Sequence, residues 1–372
     1  MFSYRSIVIS GDLGSGKSTV SRELARRLGV RRVSVGDLYR QMAQSRGMSA
    51  LQLNLHAELD DAVDGYVDQL QQEIAKSDEQ LVVDGRLAWF FFTDAFKVHL
   101  ITDPLVAASR VLSRPPDEVE AYSSLAEAKE RLANRSESER IRFLTRYGAD
   151  KNRLRNYDLV CDTSRAPSDE VVDRITAAYH GSISAAVLSQ APPLLLLDPL
   201  RIYPSCDIRD PQDLAELRAA EPLHADPPSA QPPAAERPAT EPPPAELPGD
   251  RPGGRTGDRP GGRPGDRPGG RPGDRPGEGP GDKLARLKPL TVGYAGCFFY
   301  VVDGHRRLSA AIKGGFNLVA AALLAEGSEF VADGVTALQY FDSEVSPRVI
   351  HDWETALGIK LPELTALTRF SG

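Results

Sequence analysis

The stretch Gly11-Asp12-Leu13-Gly14-Ser15-Gly16-Lys17-Ser18-Thr19, GDLGSGKST, follows the apolar run Ile7-Val8-Ile9 and opens a helix-like pattern. Gly11, Gly16, Lys17 and Ser18 satisfy G-x-x-x-x-G-K-[ST], in the strand-before, helix-after setting that this motif requires. Glycines let a loop wrap closely round a phosphate while successive backbone N–H groups point inward at the start of a helix dipole. Lys17 adds a point charge at the β- and γ-phosphates, and the Ser18 hydroxyl is a ligand for Mg²⁺. The loop alone does not separate an ATPase motor, a GTPase and a small-molecule kinase.

Outward from the loop, SIVIS, RRVSV, QLVVD, KVHLI and YDLVC each read as a short apolar run followed by a helical pattern, from about Tyr4 to about His180. Such alternation predicts an α/β fold, a P-loop parallel sheet with helices on both faces. The stretch from Asp37 to Lys76, with Leu51, Leu55 and Leu59 at helical spacing, is longer than a crossover needs and reads as an inserted helical subdomain. At 372 residues and 41% hydrophobic content, the chain has room for at least two folded units. Its net charge of -7 gives no global basic field for nucleic acid or anionic lipid. Cys161, Cys206 and Cys297 fit neither a disulfide framework nor a zinc pattern and are expected as small buried side chains in a reducing compartment. No signal-peptide pattern opens the chain, and no apolar run approaches the ~18 residues of a membrane helix, so a cytoplasmic protein is expected.

A second substrate needs cations near the loop. SVGDLYRQMAQSRGMS (residues 34–49) and DGRL (residues 84–87) put Arg40 and Arg86 at the carboxyl end of the sheet, where ligands of open α/β sheets bind. The planar fork of arginine meets phosphate oxygens bidentately, so both residues suit a phosphorylated acceptor, and both equally suit a surface salt bridge. In ERLANRSESERIRFLTRYGAD (residues 130–150), Arg131, Arg135 and Arg142 fall within about 40° of one another on a helix face. They read as an arginine-bearing lid over a transferring phosphoryl group, or as a solvated helix neutralised by Glu137 and Glu139.

Taken in order, GDLGSGKST, VSVGDLYRQMAQSRGMS, VVDGRLA, RSESERIRFLTRYGAD and YDLVCDTS resemble the cytidylate kinases, more closely the short archaeal type, from about Ile7 to Ile175. The resemblance implies phosphoryl transfer from ATP to CMP or dCMP, with ATP held by residues 11–19. It implies that Ser34, Gly36, Asp37, Arg40, Gly85 and Arg86 bind the acceptor, and that Lys17, Arg131, Arg135 and Arg142 act on the transferring group. Mg²⁺ would be held by Ser18 and, through water, by Asp84. Val35 stands where bacterial members carry a Ser beside the acceptor base. A kinase for another small acceptor, or a non-catalytic nucleotide sensor, is the competing reading.

Beyond Gly181 the composition changes twice. Residues 221–284 are rich in Pro, Ala and Glu and then repeat an octapeptide as GDRPGGRT, GDRPGGRP, GDRPGGRP and GDRPGEGP. Nothing apolar is available to bury, so a disordered tether is expected, with at most a weak RNA or anionic-surface contact through its arginines. On either side, LLLLDPLRIYPS and PLTVGYAGCFFYVVDGHRRLSAAIKGG look incomplete alone. They are expected to pack as one smaller α/β domain in two parts, 182–220 and 285–345, after a kinase-like domain at 1–181 and before a C-terminal tail at 346–372. The VVDGHRRLSAA turn would set Asp303, Gly304, His305, Arg306 and Arg307 round a phosphate at a helix start. This part resembles the ParB amino-terminal and sulfiredoxin superfamily, whose matching turn binds nucleotide phosphates, which implies CTP or ATP there.

Overall fold

The computed structural model describes residues 6–48, 61–113, 122–184, 192–208 and 288–363. Leu51, Leu55, Leu59, the helical pattern DLAELRAA and the repeat segment lie outside the described residues.

The apolar runs form β1 (Ile7–Gly11), β2 (Arg31–Ser34), β3 (Leu81–Asp84), β4 (Phe96–Ile101) and β5 (Leu159–Asp162). These strands are parallel, in the order β2-β3-β1-β4-β5. Because β3 and β4 flank β1, the winding reverses there, and the crevice of an open α/β sheet lies at such a point. The helices of this half are α1 (Lys17–Leu28), α2 (Val35–Ser45), α3 (Asp61–Ala75), α4 (Ala88–Phe91), α5 (Pro104–Leu112), α6 (Leu125–Tyr147) and α7 (Ser168–Ser184). Successive strand residues face opposite sides, so Val8, Val83 and Val160 enter one core while Ile7, Ile9, Val82 and Cys161 enter the other. Leu24 of α1 and Ile175 of α7 cover the second side.

The sheet does not stop at β5. A further strand, β6 (Leu194–Leu197), pairs parallel with β5, Leu194 opposite Leu159. The strands that continue the chain are β7 (Ile202–Tyr203), β8 (Leu290–Ala295), β9 (Phe298–Asp303) and β10 (Val319–Glu326). β6 pairs antiparallel with β10, and the order continues β8-β9-β7, making one ten-stranded sheet. The helices α8 (His305–Lys313), α9 (Ala337–Glu344) and α10 (Pro347–Leu357) and the hairpin of β11 (Phe330–Ala332) and β12 (Val335–Thr336) surround this half.

Two expectations change. Residues 346–372, read as a tail, contain α10, whose Val349 and Trp353 lie four apart and are both buried; Trp353 Nε1 donates to the Cys206 carbonyl at 3.0 Å. Cys161 is buried, but Cys206 and Cys297 are exposed because both sit in connections between elements, Cys297 with φ 81 in the β8–β9 turn. Among the described residues, no helix is long and apolar enough to cross a membrane.

One apolar core spans both halves, joining Val8, Leu87, Trp89 and Tyr157 to Leu195, Val292, Phe299 and Trp353. Halves that share a core and a sheet should unfold as one unit. The two tryptophans report separately, Trp89 on the first half and Trp353 on the second. In the single variants Trp89→Phe and Trp353→Phe, denaturation followed by the remaining tryptophan's fluorescence should give coincident midpoints; separated midpoints would show that the halves fold independently.

Candidate active site

The phosphate loop is built from backbone that only glycine tolerates. Gly11 has φ 149, and a Cβ there would lie 2.2 Å from the Leu100 carbonyl oxygen, so β1 can leave the sheet only without a side chain. Gly14, φ 79, packs on α5, where a Cβ would come within 2.9 Å of Ala107. Ser15 Oγ donates to the Asp12 carbonyl at 2.8 Å, and Thr163 Oγ1 donates to the Ser15 carbonyl at 2.9 Å. Leu13 packs against the apolar cluster that Ala107 and Val111 of α5 form with Ala128 and Leu132 of α6. Gly16 caps α1 in the left-handed region, its carbonyl accepting the Thr19 amide at 3.0 Å. Lys17 Nζ donates to the carbonyls of Gly11 and Asp12 at 2.8 and 2.7 Å. Burial, reinforced by the nearby Arg86, brings its pKa down to about 8.

Ser18 Oγ donates to Asp84 Oδ2 at 3.2 Å, and the same oxygen accepts from Ser21 Oγ at 3.3 Å and Arg32 Nη2 at 2.7 Å. A hydroxyl and a carboxylate are the hard oxygen donors that Mg²⁺ takes, so the pair fits that ion. Asp84 Oδ2 is already committed to Arg32, which suits a place in the ion's water shell rather than direct ligation.

At the start of α2, Ser34 Oγ accepts from the Asp37 amide at 3.3 Å and so caps the helix. Arg40 is paired with Asp37 one turn away, and both are exposed. A Cβ on Gly36 would lie 3.7 Å from Arg40 Nη1, and one on Gly85 only 2.8 Å from Val35 Cγ2. The sequence-predicted acceptor residues Ser34, Gly36, Asp37 and Arg40 therefore share one helix start, with Gly85 against it.

Arg86 is paired with Glu139 of α6. Glu139 is 6% exposed and falls on the buried stripe of Ala128, Leu132 and Phe143. Arg135 Nε lies 3.4 Å from its Oε1 and Lys151 Nζ 3.7 Å from its Oε2. Burial works against the charge on Glu139, but Arg86, Lys151, Arg135 and Lys17 keep its pKa below the usual carboxylate value. Of Arg131, Arg135 and Arg142, expected as a lid, Arg135 is the one that reaches this carboxylate. Arg131 is 63% exposed and pairs with Glu127, and the Arg142 guanidinium lies 5.6 Å from the Phe143 ring centroid. Neither does Glu139 neutralise a solvated face; Arg140 pairs instead with Glu137 at 2.7 Å.

Sequence reasoning missed Lys151, Arg110 and His99, and read Glu139 only as a surface counter-charge. A carboxylate seven residues from Leu132 and four from Phe143, in phase with an apolar stripe, was the available signal for Glu139. Arg110 Nη1 contacts Thr163 Oγ1 at 3.2 Å and the Gly14 carbonyl at 3.5 Å, bracing the loop from behind. Burial pushes the pKa of His99 down to about 4, so it is neutral near pH 7; its ring stacks on Tyr157 at 4.4 Å.

In the other half, Gly304 (φ 104) is the N-cap of α8, and His305 Nε2 lies 3.1 Å from Ser205 Oγ. Arg307 donates to the carbonyls of Lys288 and Pro289 and pairs with Asp303 at 2.8 Å, closing its own turn. Arg306 is exposed.

A family model for the AAA domain matches residues 7–146. The cytidylate kinase of Haloquadratum walsbyi is 36% identical over 174 residues, covering 46% of this chain and 88% of that one. That of Natronomonas pharaonis is 40% identical over 176 residues, 47% of this chain and 88% of its own. That of Pyrococcus abyssi is 39% identical over 173 residues, 46% of this chain and 92% of its own. Among solved structures, a shikimate kinase from Bacteroides thetaiotaomicron matches with a TM-score of 0.37 at 16% identity, over 47% of this chain and 98% of that one. With a phosphate loop, convergent cations and relatives at 36–40% identity matched over most of their length, the chain belongs to the cytidylate kinase family and is a phosphotransferase.

Proposed function

We propose that the chain transfers the γ-phosphoryl group of ATP to CMP or dCMP, releasing ADP and CDP or dCDP. The observation that carries this reading is the meeting of Lys17, Arg86, Arg135 and Lys151 round Glu139, beside the Ser18–Asp84 pair, at the carboxyl edge of the sheet. Phosphoryl transfer asks a protein for positioning and charge stabilisation rather than covalent chemistry, and this cluster offers both. The amides of residues 11–19 cradle the β-phosphate while Lys17 exchanges the loop carbonyls for phosphate oxygens. Arg40 and Arg86 hold the acceptor phosphate, one oxygen of which attacks the γ-phosphorus as the bond to the ADP oxygen breaks. Arg135 neutralises charge on the transferring oxygens, and Arg131 and Arg142, on the same face of α6, reach toward it by side-chain movement. Mg²⁺, held by Ser18 and through water by Asp84, supplies further neutralisation of the β- and γ-oxygens when bound. The choice of CMP rests on the relatives' names, and Val35 against Gly85 borders the acceptor side.

The remaining proposals concern the second half. Residues 182–220 and 285–345 are read as a second functional part beside residues 1–181, joined to it through one sheet among the described residues, and as binding CTP or ATP at Asp303 to Arg307. Gly304 and the exposed Arg306 support that reading; Arg307 and His305 already have partners of their own.

Steady-state assays with ATP and a panel of CMP, dCMP, UMP and AMP should give CMP or dCMP the highest kcat/KM. Turnover of none of them would sink the proposal. Lys17→Ala should lower kcat by about 10²- to 10³-fold, the usual cost of removing one transition-state charge donor.

Lys17 also predicts a proton linkage. With its pKa brought down to about 8 in the free protein, it is charged at pH 7 and largely neutral at pH 9. Because the folded value lies below the unfolded one, the ligand-free fold gains stability as pH rises from about 8 to about 10.5. ATP phosphates favour the ammonium and raise the pKa again, so binding at pH 9 should take up about one proton and binding at pH 7 almost none. Calorimetry in buffers of different ionisation enthalpy reads that number, and Lys17→Met should abolish it.

A further inference from the structure

The loop between α6 and β5 carries Lys151 to Glu139, and the second half of the chain holds that loop. Lys151 is 9% exposed, with Nζ 2.9 Å from Ser136 Oγ and 3.7 Å from Glu139 Oε2. Its carbonyl accepts from Tyr157 Oη at 2.8 Å, so Lys151 and Tyr157 close the two ends of a short loop. Between them is a single helical turn, Leu154–Asn156, and the partners of its first amides come from β10. Leu154 N donates to Glu326 Oε2 at 2.7 Å and Arg155 N to Glu326 Oε1 at 3.4 Å. Arg153 Nε lies 3.6 Å from Glu326 Oε1. Arg155 Nε is 2.8 Å from both carboxylate oxygens of Glu329, and its Nη2 donates to the Leu324 carbonyl at 3.1 Å.

Glu326 is 8% exposed and stands far beyond the N-terminal stretch that the cytidylate kinase relatives match. A buried carboxylate is stable only where donors meet both its oxygens, and here the donors are those of this loop. The contact therefore fixes the loop's height and rotation as well as joining two surfaces.

We propose that Glu326, with Glu329 behind it, is a positioning residue for the phosphoryl-transfer site. It holds the 153–155 turn so that Lys151 stays against Glu139, and Glu139 in turn sets where Arg86 and Arg135 stand. This rests on the kinase reading above. It gives the second half of the chain a part in the transfer step without touching a substrate: moving the turn moves Lys151, and errors of about 1 Å near transferring groups cost up to about a hundredfold in rate.

The test uses the full-length protein with Glu326→Gln, Lys151→Ala and the double variant. Glu326→Gln should lower kcat with ATP and CMP about tenfold, leave KM for ATP within about twofold, and speed amine labelling of Lys151 by mass spectrometry about tenfold as the loop opens. Because both substitutions act through one ammonium group, the double variant should be no slower than Lys151→Ala alone. Multiplying losses in the double variant, or an unchanged Lys151 labelling rate in folded Glu326→Gln, would overturn the proposal. Should Glu326→Gln not fold, Glu329→Gln carries the same readouts with about threefold effects. A wild type that turns over no nucleoside monophosphate refutes the function reading instead; the labelling rates still decide whether Glu326 holds Lys151.

Discussion

The buried carboxylate of Glu139 is the interaction on which the site depends. A charge at this depth persists only with close partners, and its partners come from three places: Arg86 from the end of β3, Arg135 from its own helix, and Lys151 from the loop after that helix. Without the carboxylate, three cations would face one another across a space from which water is partly excluded, and Lys17 would feel them as well. The pairing thus fixes α6 against the sheet edge and keeps the cations close without repulsion. A solvated pair would be worth too little to do this; depth makes the geometry binding.

The sheet supplies the second constraint. β6 carries an apolar run whose Leu195 and Leu197 enter one core and Leu196 the other, and such a strand cannot remain an edge. It is paired by β5 on one side and β10 on the other, which makes the second half of the chain an extension of the first. Asp162, at the end of β5, is fully buried and paired with Arg201 at 2.6 Å, while Arg165 pairs with Asp198 at 2.9 Å. These bonds cross from the phosphate-loop half to its extension near the carboxyl edge, so the extension approaches the chemistry on the same side as the ligands.

How much of this was legible follows from how local each signal is. GDLGSGKST and the five apolar runs announce themselves within a few residues, and each became the element expected of it. The arginines of residues 130–150 were visible as a helix face, but their fates were not: a helical angle gives direction and says nothing of depth. Arg131 ends in solvent with Glu127 and Arg135 at the buried carboxylate because the wall that α6 meets changes along its length. The seam through β6 was illegible for the same reason. Strand pairing across the interval from Leu197 to Val319 leaves no periodicity in either segment, so the sequence shows two apolar pieces and gives no sign of the sheet they share with β5.

The described cations also share a state. Lys17 rests on two loop carbonyls, Arg40 on Asp37 and Arg86 on Glu139. Each has an internal acceptor with which a phosphate oxygen of the proposed reaction would have to compete. A substrate therefore binds by the difference between its own contacts and those it displaces, and a displaced carboxylate or carbonyl must find another donor. Glu139 keeps Arg135 and Lys151 when Arg86 leaves, so its charge stays compensated through the exchange. Asp37 likewise keeps Arg32, at 3.2 Å, when Arg40 departs. With such shared partners, release of Arg40 and Arg86 to an acceptor phosphate, as the proposed reaction requires, would not strand a buried charge. That exchange is easier than breaking an isolated buried pair, which would leave its partner uncompensated.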